Sequence, residues 1–262
     1  MHGSPAITQT IQEYIDNRRD LSDLISTLAE PIEKAYTEGR IDTPDSAEEQ
    51  LWSLWLSVLD VAKRAPHTNS DAQMKLVDLM AAFKARPNPP APSPVPDDWV
   101  WRGGNLWTNL AILGPSVRED WNSPPSTSNA GTSPEEWTNV NAFIARLTNA
   151  CIADFLLYAI WSVRPVLEED EVSTAELDML VPAAAVWFLY LGERIHESDE
   201  EYGGPGRGGT VWTGKKGFCK ERWQLWKERM AIISQNTGIS VDTRDIANEA
   251  LKTMDTIDGT TK

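Results

Sequence analysis

The chain has 262 residues, and its 39 acidic and 24 basic side chains give a formal net charge of -15. A hydrophobic content of 41% is ordinary for a packed core and excludes global disorder. The acidity argues against nucleic acid and against an anionic membrane surface as partners, because both need a basic footprint.

Helical periodicity dominates the first eighty residues. Ile7, Ile11, Tyr14 and Ile15 fall at three- and four-residue steps, and so do Leu21, Leu24, Ile25 and Leu28. Pro31 interrupts the second pattern, which resumes through Ile32, Ala35 and Tyr36 until Gly39 ends it. Thr43-Pro44-Asp45 supplies a cap, a first-turn proline and an acid for the next helix. Its apolar face is Leu51, Trp52, Trp55, Val58, Leu59 and Ala62, and Ala65-Pro66 stops it. Asp71 opens a fourth helix with Met74, Val77, Leu79, Met80 and Phe83 inward.

Residues 87–98 form a proline-rich internal linker of polyproline character. Beyond it the periodicity fades up to Trp137, apart from a short helix over Pro115 to Trp121, and Ser123 to Ser133 reads as mobile. Ser133-Pro134-Glu135-Glu136 then starts a helix with Trp137, Val140, Phe143, Ile144 and Leu147 buried. Further helices are expected from Cys151 to about Leu167, from Thr174 or Leu180 to His196, from Phe218 to Ser234 and from Thr243 to Met254. The apolar run Leu180 to Leu191 contains Pro182 and reads as a buried helix rather than a membrane span. No strand and no repeat emerges. The expected fold is all-α, a single domain over residues 1–262 with about nine helices and long ordered loops.

Two cysteines, Cys151 and Cys219, cannot make a disulfide framework, and Cys151 is expected in the core. The start of the chain lacks a basic, apolar leader pattern, so a cytoplasmic location is expected. Gly204-Pro205-Gly206-Arg207-Gly208-Gly209 matches G-x-G-x-x-G, and residues 209–216 match most of a phosphate loop. Neither follows an expected strand, and Lys216 replaces the hydroxyl that would meet magnesium, so the stretch reads as a flexible surface loop or lid. Glu193 and His196 form one E-x-x-H pair, but di-iron bundles need two. No metal or cofactor is expected, and His196 reads as a helix-end cation. Asp97-Asp98-Trp99 lacks the third acid of an ionising terpene cyclase.

Three arginines interrupt apolar stretches: Arg118, Arg146 and Arg164. A charge in such a place needs a partner, and Glu119, Asp154, Glu168 and Glu169 are the candidates. One outcome is a structural ion-pair network. The other is a cleft in which the arginines hold a carboxylate or enolate while Glu119 moves a proton. Seven tryptophans (52, 55, 137, 161, 187, 223 and 226) have helix-core spacing. Trp99, Trp101, Trp107, Trp121 and Trp212 lie in loops, and Trp101, Trp107, Trp121 and Trp212, with Tyr158, are the candidate substrate-binding walls.

Leu51-Trp52-Ser53-Leu54-Trp55, Arg118-Glu119-Asp120-Trp121-Asn122, the run Asn139 to Leu147, Val181 to Trp187 and Glu221-Arg222-Trp223-Gln224-Leu225-Trp226-Lys227 together resemble a fungal family of uncharacterised proteins with one helical domain of unknown function. The likeness covers about residues 45–235. It implies a filamentous-fungal source, one domain running through the proline linker and a setting among specialised-metabolism genes; it supplies no catalytic residues. The favoured reading is a cofactor-independent enzyme or binding protein for an apolar or aromatic small molecule. Whether it is an enzyme stays open, with acid–base cyclisation, isomerisation or dehydration in a cyclase, isomerase or lyase as the reactions that fit. The alternative is a non-catalytic protein-interaction module with a tryptophan-rich surface, and a homodimer is open.

Overall fold

Two helices begin where Ser-x-x-Glu stands in the sequence. Ser133 and Ser173 each accept a hydrogen bond from the amide three residues on, while Glu136 and Glu176 reach back to the serine backbone. These reciprocal bonds satisfy amides that a helix start leaves without partners. The computed structural model describes residues 3–40, 43–93, 105–126 and 131–260. Among them the chain is all-α, with ten α-helices and no strand, and an isolated antiparallel bridge joins Glu201 and Gly217. It groups into two compact units, Met1–Ser123 and Pro124–Lys262.

The first unit holds α1 (Pro5–Ile15), α2 (Leu21–Thr37), α3 (Ala47–Arg64), α4 (Ser70–Ala85) and α5 (Leu113–Asp120). Helix α3 is its axis: from Leu54 to Leu59 every side chain is buried, and α1, α2, α4 and α5 all pack on it. Pro31 does not break α2. The proline forfeits one backbone bond, but the buried face from Leu24 to Tyr36 runs through it and outweighs the loss. The cap of α3 is Ser46, which accepts from the Glu49 amide at 3.2 Å; Thr43 instead closes the preceding turn through its carbonyl. Asn69, not Asp71, caps α4. Met74 is exposed, and Gln73 takes the inward place, donating to the Ala65 carbonyl at 2.8 Å.

The second unit holds α6 (Pro134–Asn149), α7 (Leu156–Leu167), α8 (Thr174–Glu197), α9 (Lys220–Ser234) and α10 (Val241–Thr260), with a 3-10 turn at Gly204–Gly206. Helix α8 has 24 residues and is long and apolar enough to cross a membrane by length and composition. Its unbroken buried run Ala183 to Phe188, and its packing against α6, α7, α9 and α10, make it the core helix of this unit. Buried Asn141 joins three helices: its Oδ1 accepts from Ser162 on α7 at 2.6 Å and from the Trp187 indole on α8 at 2.7 Å.

Cys151 is not a core residue. Helix α6 ends at Asn149, and Cys151 turns outward in the left-handed region at φ 55°. Its amide donates to Thr148 O and that of Ile152 to Leu147 O, the paired bonds of a Schellman stop. The same pattern closes α1 at Asn17 and α2 at Gly39. A cysteine is strained at this position and glycine is not. We therefore expect Cys151→Gly to stabilise the protein by about 1 kcal/mol, read as a higher urea midpoint with unchanged slope. A midpoint at or below that of the parent contradicts the assignment.

Candidate functional site

The chemistry of the second unit is organised by a guanidinium with no exposure to solvent. Arg222, in the first turn of α9, pairs with Glu168 at the end of α7, and both side chains are 0% exposed. Nε donates to Glu168 Oε1 at 2.7 Å and Nη2 to Oε2 at 2.9 Å. Nη1 donates to the carbonyls of Gly206 and Gly217 at 2.8 and 2.7 Å, and Nη2 also to that of Arg207 at 3.3 Å. All five guanidinium N–H groups thus have acceptors, the condition under which a buried arginine is tolerated. Glu168 is equally occupied: Oε1 accepts from the Trp226 indole at 2.6 Å and Oε2 from the Gly209 amide at 2.9 Å.

This pair explains the glycine-rich stretch. Carbonyls of the loop point inward to a cation, the reverse of a phosphate loop, whose amides point inward to an anion. The Val211 amide donates to Glu168 O at 3.0 Å and the Asp170 amide to Thr210 Oγ1 at 2.9 Å. At Gly217 a side chain would set its Cβ 1.9 Å from Glu200 O. The residues expected to form a flexible lid are pinned along their length.

On this rigid base α7 presents Tyr158, Trp161 and Arg164 at three-residue steps, all half-buried. Tyr158 and Trp161 pack with ring centroids 4.5 Å apart. The Trp161 indole donates to Pro205 O at 2.9 Å, and Arg164 Nη1 to Arg207 O at 3.3 Å. Burial, and then the positive charge of Arg207, hold the Arg164 guanidinium below its usual pKa. Arg207 is exposed, and among the described residues its side chain makes no hydrogen bond or ion pair. The result is a strip of two aromatic rings ending in two arginines.

The residues singled out from sequence divide between the units. Glu119 and Arg118 are exposed on α5 in the first unit. Trp107 and Trp121, expected as pocket walls, are core: Trp107 is 0% exposed, stacks on Phe83 at 5.2 Å and donates to Glu33 at 2.8 Å, and Trp121 is 8% exposed at the end of α5. Trp101 lies outside the described residues. In the second unit Arg146 does not join Arg164. It lies over the Tyr190 ring at 3.4 Å, where burial lowers its pKa. Trp212 closes the glycine loop on itself, its indole donating to Lys215 O at 2.9 Å, with the Arg222 guanidinium 5.8 Å from its ring. Trp161 and, in the first unit, Trp52, both placed in the core by their spacing, are instead half-buried. The carboxylates also found other partners, since Asp154 pairs with Arg194 and Glu168 with Arg222.

The E-x-x-H pair separates too. Glu193 is exposed, while His196 is 7% exposed, its ring 5.0 Å from that of Trp223. Lys220 Nζ stands 3.1 Å from both ring nitrogens and Asp258 3.4 Å from Nε2. Burial first, then Lys220, lower its pKa, which disfavours the helix-end cation expected from the sequence. Among the described residues no three His, Cys, Asp or Glu side chains converge as metal ligands.

Two outcomes follow from this geometry. Glu168→Gln or Arg222→Met alone leaves a buried charge and should cost about 3–5 kcal/mol in urea unfolding, while the double change Glu168→Leu with Arg222→Met should cost less than the sum. Additive losses would mean the two side chains are not coupled. For His196, the unfolded chain takes up a proton near pH 6.5 and the folded chain only lower. Stability should therefore be full above about pH 6.5 and fall as the pH drops toward the folded value. His196→Gln should remove that slope, and an unchanged slope in the variant contradicts the placement.

With this arrangement in view, the chain was compared with known proteins. Neither the curated proteins nor the solved structures gave a match. One family does match, over residues 55–230, a span that takes in parts of both units, the buried Glu168–Arg222 pair and the aromatic strip of α7. Because that span is more than half of the chain, the protein belongs to the family described as Protein of unknown function (DUF3632).

Proposed function

We propose that the protein is a binding protein for a small organic anion with a flat apolar body, seated on the strip Tyr158–Trp161–Arg164–Arg207. The observation that carries this is the exposed Arg207 guanidinium, with no ion pair among the described residues, beside half-buried Arg164 in a chain of net charge -15. The positive charge of Arg207 acts on Arg164, an anion bound by both would relieve that repulsion, and planar donors match a carboxylate or enolate edge. The rings of Tyr158 and Trp161 supply an apolar platform at the right end. The base is pre-organised, because Arg207 is fixed through its own carbonyl by Arg222 and Arg164. Of the two carboxylates that act on Arg164, Glu168 is saturated by Arg222, Trp226 and Gly209, and Glu169 accepts from the Thr210 amide.

The probe is 2-naphthoate, followed by isothermal titration. Arg207→Ala and Arg164→Ala should each weaken it by about tenfold or more, the loss of a charge-assisted hydrogen bond. The neutral isostere 2-naphthylmethanol should bind the parent comparably weakly. Thermal midpoints should stay within about a degree for Arg207→Ala, whose side chain supports nothing else. Equal binding of acid and alcohol, or unchanged affinity in both variants, overturns the reading.

A further inference from the structure

A concavity of about 300 Å³ lies in the same unit, between α8 and α10 with Asn149 at the end of α6. Small-molecule sites begin at about this volume. Gly192 lets the helices come this close, since a Cβ there would stand 2.8 Å from Ile257 Cδ1. The apolar lining is half-buried Leu189 with Phe188, Leu191 and Ile257 buried behind it.

The polar rim has a sign. Thr253 and Thr256 line the cleft, and both hydroxyls donate along their own helix, to Glu249 O at 3.1 Å and to Lys252 O at 2.9 Å. A hydroxyl that has given its proton to a helix carbonyl offers only lone pairs to a ligand. Glu193 adds an exposed carboxylate that makes no hydrogen bond or ion pair among the described residues, and the Asn149 side chain is likewise unengaged and can turn its oxygen inward. The Arg146 cation lies against the Tyr190 ring, and among the lining residues themselves Glu193 is the charged one. Acceptors and one carboxylate around an apolar floor complement a donor-only head group on an apolar body.

We infer that the α8–α10 cleft is a binding site for a small organic ammonium ion carrying a compact apolar group. The ammonium meets Glu193, Thr253 and Thr256, and the apolar group covers half-buried Leu189 and the accessible edge of Ile257. This site is separate from the arginine strip and opposite to it in charge preference.

The test is a titration of the whole chain with 2-phenylethylammonium, followed in amide nitrogen–proton correlation spectra. Saturable shifts should concentrate on Gly192, Glu193, Thr253 and Thr256. Glu193→Gln, an exposed change that leaves the core intact, should weaken binding at least tenfold, and the neutral isostere 2-phenylethanol should bind at least tenfold less well than the ammonium. Filling the cleft with Thr253→Leu should abolish the shifts, while Arg164→Ala should leave them unchanged, which separates this site from the anion strip. No saturable shift, shifts centred elsewhere, equal binding of the alcohol, or an unaffected Glu193→Gln variant overturns the inference.

Discussion

A buried guanidinium in a bed of loop carbonyls is the constraint on which the second unit depends. Removing Arg222 and Glu168 from water is costly, and their attraction offsets that cost only because every donor and both carboxylate oxygens are engaged. The return is specificity of conformation. Glycine loses more backbone entropy on ordering than any other residue, so a stretch as rich in it as residues 203–217 is costly to fix. Three carbonyls held by Arg222, and two amides held by Glu168, choose one path for it. The surface strip inherits its rigidity from that choice: Pro205 O receives Trp161, and Arg207 O receives both Arg164 and Arg222.

The first unit uses the same combination of side chains. Glu33 accepts from Arg86 Nε at 2.5 Å and Nη2 at 2.9 Å, and from the Trp107 indole at 2.8 Å. Atom for atom this repeats Glu168, Arg222 and Trp226. In both units a glutamate on a helix gathers a bidentate arginine and an indole N–H that would otherwise be buried without an acceptor. In both, an irregular segment is tied down as a result. Here it is the stretch that includes Trp107, whose amide also donates to Asn88 Oδ1 at 2.7 Å. The first part of the proline run is thereby fastened within its own unit. The two triads differ in exposure, with Glu33 and Arg86 partly accessible where Glu168 and Arg222 are sealed. The carboxyl group of Glu33 is held below its usual pKa by Arg86 and Trp107 against the opposing effect of burial.

What could be read in advance was local. The Ser-x-x-Glu start of α6, the three-to-four spacing of α3 and the core places of Trp55, Trp187, Trp223 and Trp226 depend on residues within a turn or two of each other. What escaped was long-range. Arg222 on an amphipathic helix looks like a solvent-facing charge, and its burial depends on a glutamate 54 residues earlier. Trp107 looks like a pocket wall because its segment has no period, yet its acceptor lies 74 residues upstream. Trp161 has the spacing of a core residue, but the cover over it is a loop with no period of its own. A usable signal did exist for the missed pair, since Arg222 and Trp226 are four residues apart and share a helix face downstream of both the acidic run and the glycine loop. The E-x-x-H pair failed as a motif for the same reason: His196 is settled by Lys220 and Asp258, which α9 and α10 bring to it.

Hydrogen exchange at the loop amides tests this account most directly. The Gly209 and Val211 amides donate to the carboxylate and carbonyl of Glu168, and neither belongs to a helix. If the buried pair organises the loop, both should exchange as slowly as amides in the middle of α8, opening only with the unit as a whole. Exchange at the rate of an unstructured chain, with α8 still protected, would show that the glycine loop moves independently of Arg222 and Glu168, and the account would fail.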